Sequence, residues 1–209
     1  MSGNTGSSDI TIDNMNALER GLKRSFDFLV ALLGLFVLSP VFLVISLILK
    51  REGVSSVFFS QERIGKGGKP FRIYKFRTMT DERAEEGPTL ARDDDERITP
   101  HGRYLRKHHL DELPQLWNVV RGDMSFVGYR PERKFFVDQI MQHNPDYALL
   151  YCSRPGITSD SAIYNGYTYT MNLMLCRLDF DLDYLRRRTL LLDLKILVKT
   201  VLVLLKEEN

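Results

Sequence analysis

Residues 26–49 read FDFLVALLGLFVLSPVFLVISLIL, with a single charge, Asp27, near the start. A run of this length matches the roughly 20 apolar residues that cross a bilayer. Ser39-Pro40 stands at its middle. A proline inside a helix lacks the N–H for one backbone hydrogen bond, and its ring clashes with the carbonyl one turn back. Such kinks also occur inside true spans. Lys23 and Arg24 precede the run and Lys50 and Arg51 follow it. Cations at both ends give a simple span no orientation. Two half-helices of about 11 residues reach only about half of the hydrocarbon core. A helix that enters, bends at Ser39-Pro40 and returns puts all four cations on the cytoplasmic side. Ser39 is then at hand to re-satisfy backbone groups that the proline frees. On physics alone, re-entrant and spanning arrangements both stay open. A secretory signal peptide fits less well, because the run is too long and no small-residue cleavage site follows.

Much of the remaining apolar content sits in a second block near the end of the chain, and the rest is more polar. Of 209 residues, 27% are charged and 44% hydrophobic, which suits a domain with its own core and excludes wholesale disorder. The formal net charge of +2 argues against a globally basic nucleic-acid binder, so no nucleic-acid partner is expected. Two cysteines, Cys152 and Cys176, exclude a disulfide scaffold and a zinc ribbon and fit a reducing cytosol. The first residues, to about Asn14, are rich in Gly, Ser, Thr and Asn and read as a mobile tail. The expected division is a flexible tail over 1–22, a membrane helix over 23–51 and a folded domain over 52–209.

Within that domain, residues 54–78 hold two alternating apolar runs around Gly65-Lys66-Gly67-Gly68, which predicts a β-hairpin with a glycine-rich turn. The same stretch carries Arg63, Lys66, Lys69, Arg72, Lys75 and Arg77, the most basic part of the chain. Residues 81–97 are charged and read as an exposed loop with one helical turn. Residues 103–120 have helical spacing, and Pro114 inside them marks a new helix start. A helix is expected over 131–143, ended by Asn144-Pro145, and a turn at Arg154-Pro155-Gly156. Helix is expected again over 173–206. Its last part, TLLLDLKILVKTVLVLL, is punctuated by Asp193, Lys195 and Lys199 and suits an amphipathic interfacial helix, with a buried core helix as the alternative. The fold class is therefore mainly α with a small β-hairpin, an α+β arrangement.

The chemistry-bearing residues are densest in RYLRKHHLDELPQLWNVVRGDMSFVGYRP, residues 103–131. Asp111 and Glu112 are adjacent carboxylates, with Arg103 and Arg106 before them and Arg121 and Arg130 after. Arginines beside a carboxylate pair keep it ionised and also bind phosphate in bidentate fashion. Carboxylates with arginines suit Mg²⁺ bridging a phosphate. A solvated helix face carries the same residue types, so this pattern alone decides nothing. His108 and His109 are adjacent and lack a second ligand pair at metal spacing. No phosphate-loop or dinucleotide fingerprint is present.

Read in order, the motifs say more. They are the apolar block broken by Ser-Pro, FFSQERIGKGGKPFRIYKFRTM, LDELPQLWNVVRGDMSFVGYRP, RPGIT and DLDYL with DLKIL. Over about residues 23–205 this closely resembles the bacterial sugar transferase family, the monotopic polyprenyl-phosphate phosphoglycosyl transferases, in its small members. The resemblance implies transfer of a phosphosugar from a UDP-sugar to undecaprenyl phosphate, yielding UMP, at the cytoplasmic face of the bacterial inner membrane. It implies a re-entrant helix bent at Ser39 and Pro40, membrane lipids as partners, and surface-glycan assembly as the setting. It places the nucleophile at Asp111, with Glu112 beside it and Mg²⁺ at the pair. Lys75, Arg77, Arg106 and Arg130 are the candidates for phosphate contact, with Arg103 and Arg63 behind them. Anchoring to anionic lipid is the competing role for these cations. Tyr129 stands where the family has a proline, and Ser159 where it has a glycine, which marks a subgroup. The alternatives are direct transfer through a ternary complex and a non-catalytic, membrane-docked assembly protein. Nothing in the residues decides for or against a homodimer.

Overall fold

The computed structural model describes residues 12–80, 95–165 and 170–206. The chain runs α1 (Ala17–Val37), α2 (Ser39–Arg51), β1 (Phe58–Ile64), β2 (Pro70–Phe76), α3 (Pro100–Lys107), α4 (Gln115–Arg121), β3 (Ser125–Val127), α5 (Lys134–His143), β4 (Gly156–Thr158), α6 (Asp160–Asn165), α7 (Met171–Arg187) and α8 (Leu190–Lys206), with short 3-10 turns between. The mainly helical α+β class is as expected. The loop expected at 81–97 and the start of the tail lie largely outside the described residues.

Helix α1 begins at Ala17, within the stretch expected to be tail. The cause is a capping box: Asn16 Oδ1 accepts from the Glu19 amide at 2.9 Å, and the Glu19 carboxylate accepts from the Asn16 amide at 2.9 Å. The tail boundary at residue 22 is thus corrected to before Asn16, and Asn14 is itself tied to the body through Asn14 N–H to the Leu185 carbonyl at 3.1 Å.

The break between α1 and α2 falls at Leu38, and the two helices bend by 58°. Pro40 cannot donate to the carbonyl four residues back, Phe36. The Ser39 hydroxyl donates to that carbonyl at 2.7 Å instead. No single described helix is long and apolar enough to cross a membrane, but this bent pair together has the length and apolar composition to do so. Helix α1 buries Lys23, Asp27 and Ala31, one stripe at four-residue spacing. Leu29, Leu33, Phe36 and Val37 on its other sides are exposed, as are Leu43, Val44 and Leu47 on α2.

Asp27, the lone charge of the apolar run, is buried as an anchor. It accepts from the Ser125 hydroxyl at 2.7 Å and lies 3.8 Å from Lys23. Lys23 in turn pairs with Asp193 of α8 at 2.6 Å, and the Tyr184 hydroxyl of α7 donates to Asp193 at 2.5 Å. These bonds tie α1 to β3, α7 and α8.

The hairpin forms as expected, β1 antiparallel to β2 with Phe59 opposite Lys75 and Arg63 opposite Phe71. Pro114 caps α4 as expected, and α5 starts at Lys134, three residues after Pro131. The segment read as a turn at Arg154-Pro155-Gly156 leads instead into β4, which pairs parallel with β3 through Ser125–Gly156 and Val127–Thr158. A Cβ on Gly156 would stand 2.2 Å from the Gly128 amide nitrogen, so only glycine permits this approach. The long C-terminal helix is two helices, α7 and α8, broken at Arg188-Thr189. Leu191, Leu194, Val198, Val201 and Leu205 form an exposed stripe along α8.

Three apolar clusters hold the body. The largest joins α5, α7 and α8 through Phe136, Ile140, Leu178, Leu182 and Ile196. A second joins α1 to β2 and α4 through Ala31, Ile73, Leu116 and Val119. The third sets Ile45 and Leu49 of α2 against Phe76 and Leu105, with Leu110 and Leu113 packed beside them.

Candidate active site

Leu110 and Leu113 bracket the carboxylate pair, so this third cluster fixes the pair directly above α2. Asp111 and Glu112 lie in one 3-10 turn, Leu110–Glu112. The turn is reached through His109 at φ 52°, the only non-glycine residue with positive φ among the described residues. Left-handed backbone costs a non-glycine residue about 1–2 kcal/mol. Here it stops α3 one residue after its C-cap, His108, and redirects the chain into the dyad.

Lys75 reaches the dyad from β2. Its Nζ lies 2.5 Å from Glu112 Oε1 and 3.9 Å from Asp111 Oδ2. The strand that carries it is held on both edges. β1 pairs with one edge. On the other, Asn118 Oδ1 accepts from the Tyr74 amide at 3.1 Å and Asn118 Nδ2 donates to the Arg72 carbonyl at 2.7 Å. A fully buried amide side chain thus stands in for a third strand and pins α4 beside Lys75. Arg24 of α1 supports α4 from below, donating to the carbonyls of Val119 and Val120 at 2.6 and 2.8 Å, where a helix end lacks partners.

The two carboxyls are driven apart. Burial pushes Asp111 up from the usual carboxylate range; Lys75 pulls it down, Glu112 adds to the rise, and Arg106 and His109 oppose it, with the rise prevailing. Burial also works to raise Glu112, but Lys75, Arg130 and His109 outweigh it and hold that carboxyl at about 2. Among the described residues, Asp111 accepts no hydrogen bond, although only 8% of it is exposed. A buried carboxylate is normally bonded. The arrangement gives one locked carboxylate and one with its lone pairs at liberty.

Of the residues expected at the site, Asp111, Glu112 and Lys75 come together, and the charges of Arg106 and Arg130 act on the pair. Arg106 also places Nη1 3.8 Å from Met79 Sδ. Arg103 is exposed, one turn earlier on α3. Arg77 Nε donates to the Ser56 carbonyl at 2.9 Å, at the base of the hairpin. Arg63 is not brought to the dyad. It lies four residues from Phe59, the partner of Lys75, about 13 Å along the ladder. There it pairs with Glu132 at 3.1 Å and donates to the Pro131 carbonyl at 3.3 Å. Glu132 also pairs with Arg177, so Arg63 belongs to a buried ionic cluster that fixes the loop after Arg130. Tyr129 is buried, its carbonyl accepting from the Gly156 amide at 2.9 Å.

Sequence reasoning missed Asn118, Asp27 and Glu132. A lone Asp in an apolar run and a lone Asn in LPQLWNVV were the available signals, since polar residues there are retained only when bonded.

A mainly helical body, a bent apolar helix pair and a carboxylate dyad bridged by a hairpin lysine define one class. The chain belongs to the bacterial sugar transferase family, whose description matches residues 18–207. It is 41% identical over 191 residues to a UDP-glucose:undecaprenyl-phosphate glucose-1-phosphate transferase of Caulobacter vibrioides, covering 90% of this chain and 71% of that protein. It is 38% identical over 184 residues to a UDP-N-acetylgalactosamine-undecaprenyl-phosphate N-acetylgalactosaminephosphotransferase of Aeromonas hydrophila, covering 88% of this chain and 44% of that protein. It is also 41% identical over 190 residues to an uncharacterized sugar transferase of Bacillus subtilis, covering 90% of this chain and 89% of that protein. The chain thus spans less than half the length of the Aeromonas relative.

Proposed function

We propose that the protein transfers a phosphosugar from a UDP-sugar to undecaprenyl phosphate, in two displacements at one phosphorus. Asp111 is the observation that carries this reading: a buried carboxylate with a raised pKa and no hydrogen bond from the described residues, next to a Glu112 that Lys75 holds ionised. A carboxylate pushed up in this way is the more basic of the pair and the better nucleophile once ionised.

Asp111 Oδ attacks the phosphorus that bears the sugar. The bond from that phosphorus to the bridging oxygen breaks, and UMP leaves with the electron pair. An acyl phosphate joins Asp111 to the phosphosugar. A phosphate oxygen of undecaprenyl phosphate then attacks the same phosphorus, the bond to Asp111 breaks, and the carboxylate is restored. Each step brings two anions together, so Lys75, Arg106 and Arg130 are positioned to offset charge where it develops. Glu112 holds the Lys75 ammonium in place through the 2.5 Å contact.

Mg²⁺ is part of the proposal. Among the described residues, no group of three or more His, Cys, Asp or Glu surrounds a metal position. Two adjacent carboxylates nonetheless suit Mg²⁺, which is commonly held by one or two carboxylates together with substrate phosphates and water. Asp111 and Glu112 would hold it. When bound, it supplies charge neutralisation on the diphosphate.

The membrane side of the proposal rests on exposed apolar surface. Phe36, Leu43 and Leu191 are 79%, 61% and 61% exposed, on α1, α2 and α8 respectively. Contiguous apolar surface of that kind marks a membrane or protein contact. We read α1 and α2 as a re-entrant pair with Lys23, Arg24, Lys50 and Arg51 on the cytoplasmic side, and α8 as interfacial.

The test is UMP release by the full chain in nanodiscs with Mg²⁺, undecaprenyl phosphate and a panel of UDP-sugars, beginning with UDP-glucose and UDP-N-acetylgalactosamine. Lipid-dependent release that Asp111→Asn abolishes is the expected result. Release that Asp111→Asn leaves intact overturns the nucleophile. A radiolabelled phosphosugar retained on the protein before acceptor is added separates the two-step route from a ternary complex.

A further inference from the structure

At the end of the hairpin opposite Lys75, a cavity of about 250 Å³ lies between the first turns of α1, the glycine-rich turn and the segment after Tyr151. Six cations line it: Arg20, Lys23, Arg24, Lys66, Arg154 and Arg188. Among the described residues, Asp27 is the only carboxylate in the lining. The charges do not balance. Arg20 and Arg188 share Asp13, at 3.4 and 3.1 Å. Lys23 takes Asp193 at 2.6 Å and stands 3.8 Å from Asp27. Six cations therefore meet three carboxylates, Asp13, Asp27 and Asp193.

The surplus is local. Arg24 donates to the carbonyls of α4 and lies over the Phe28 ring, and Arg154 Nε donates to the Gly122 carbonyl at 2.8 Å. Carbonyls accept hydrogen bonds but carry no net charge. Among the described residues, neither Lys66 nor Arg154 has a carboxylate within ion-pair distance. Burial pushes the Lys66 ammonium down from its usual range, and Arg154, Arg20 and Arg188 push it further. Burial pushes Arg154 down as well, followed by Arg24. Converging guanidinium groups without a counter-charge are costly unless an anion joins them.

We propose that this cavity is a binding site for a phosphate group, held chiefly by Lys66 and Arg154 and separate from the dyad. Lys75 lies five residues beyond Pro70 along β2, about 17 Å from the hairpin end that Lys66 occupies. The volume equals about eight waters at ~30 Å³ each, room for a phosphate with part of its shell. The cavity wall at Arg20 and Gly21 adjoins Leu18 and Leu22, exposed at 72% and 52%. A phosphate that carries an acyl tail is accommodated as readily as a free one. The shared chemistry is a phosphate oxyanion, and its source is either a glycerophospholipid headgroup or inorganic phosphate.

The test uses the full chain in neutral detergent at fixed ionic strength. Thermal midpoint and equilibrium binding are followed with inorganic phosphate, and binding to phosphatidylcholine vesicles is followed with and without phosphatidylglycerol. Lys66→Gln with Arg154→Gln should weaken the phosphate-dependent signal at least ten-fold. Lys66→Glu alone should do the same; its exposed side chain has no hydrogen bond or ion pair among the described residues, so it serves if the double variant fails to fold. Lys134→Gln, exposed on α5 and outside the cavity, should leave the signal unchanged. A midpoint shift with inorganic phosphate assigns a free-phosphate site. A response confined to phosphatidylglycerol assigns a headgroup site. No response to either, or equal losses in Lys66→Glu and Lys134→Gln, overturns the proposal. UMP release is not the readout, so this result and that for the dyad are independent.

Discussion

Lys75 Nζ is bonded to Glu112 Oε1 at 2.5 Å and only neighbours Asp111 Oδ2, at 3.9 Å. One ammonium therefore locks one carboxylate of the pair and leaves the other available. Lys75 lowers the pKa of both. In Lys75→Met both carboxyls rise, so a higher pH is needed to ionise Asp111. The acid limb of the pH profile of kcat/KM should move toward higher pH, and the plateau should fall by about 10²- to 10³-fold. A limb that stays in place while the rate falls would mean that Lys75 acts on substrate alone.

The two carboxylates should respond oppositely to amide substitution. Burial disfavours the ionised form of Asp111, so Asp111→Asn removes a destabilising charge. Its thermal midpoint at pH 8 should hold or rise while turnover drops on the order of 10⁴-fold or more. Glu112→Gln leaves the Lys75 ammonium half-buried without its counter-charge and should lower the midpoint. Differential scanning fluorimetry of the two variants in one detergent decides it. A midpoint loss in both would show that Asp111 also has a structural bond.

Asp181 gives the fold its own pH dependence. It is buried on α7 and accepts from the Ser161 hydroxyl at 2.9 Å. Burial pushes its carboxyl up from 3.8 to about 7, against Arg177, Ser161 and the Arg130 amide, with Glu132 adding to the rise. The folded state thus holds this proton more tightly than the unfolded chain. Its contribution to stability is complete below about pH 3.8 and is lost as pH rises through about 7. Asp181→Asn should flatten that decline. Thermal midpoints at pH 5 and pH 8 should differ less in the variant than in the parent, and an equal difference would assign the effect to another group.

Two glycines and a control test the packing. Alanine at Gly156 would place its Cβ 2.2 Å from the Gly128 nitrogen, and at Gly102 2.2 Å from the Thr78 carbonyl oxygen. Each should cost about 1–3 kcal/mol or more, because backbone cannot step aside. Gly21 on α1 has no atom within 4 Å of such a Cβ, and Gly21→Ala should stabilise by up to about 1 kcal/mol. Urea or thermal melts of the three variants provide the comparison.

What was legible in the sequence was local. The hairpin follows from alternation around a glycine turn, α4 from Pro114, and the α1–α2 break from Ser39-Pro40, because each is decided by a few neighbouring residues. The dyad was readable as a motif, yet not its asymmetry, which depends on a lysine 36 and 37 positions earlier in the chain. The β3–β4 pair has three residues per strand, too short to show a period, and its partners lie 31 residues apart. Arg63 looked like another phosphate ligand because composition cannot tell a cation that faces substrate from one that faces Glu132. Asp27 stood out only as the single charge of an apolar run, while Ser125 and Lys23 make it the run's point of attachment.

The pairing of Lys23 with Asp193 spans 170 residues of chain. Translation at roughly 5–20 residues per second separates the making of these two residues by roughly 10–30 s. For most of that interval the first helix is outside the ribosome while Asp193, its partner on α8, does not yet exist. Docking to α8 is closed to it until α8 is made. In the re-entrant arrangement proposed above, this orders biogenesis: the amino-terminal helix pair meets the bilayer first, and the last helix made closes the body onto an anchor already in position.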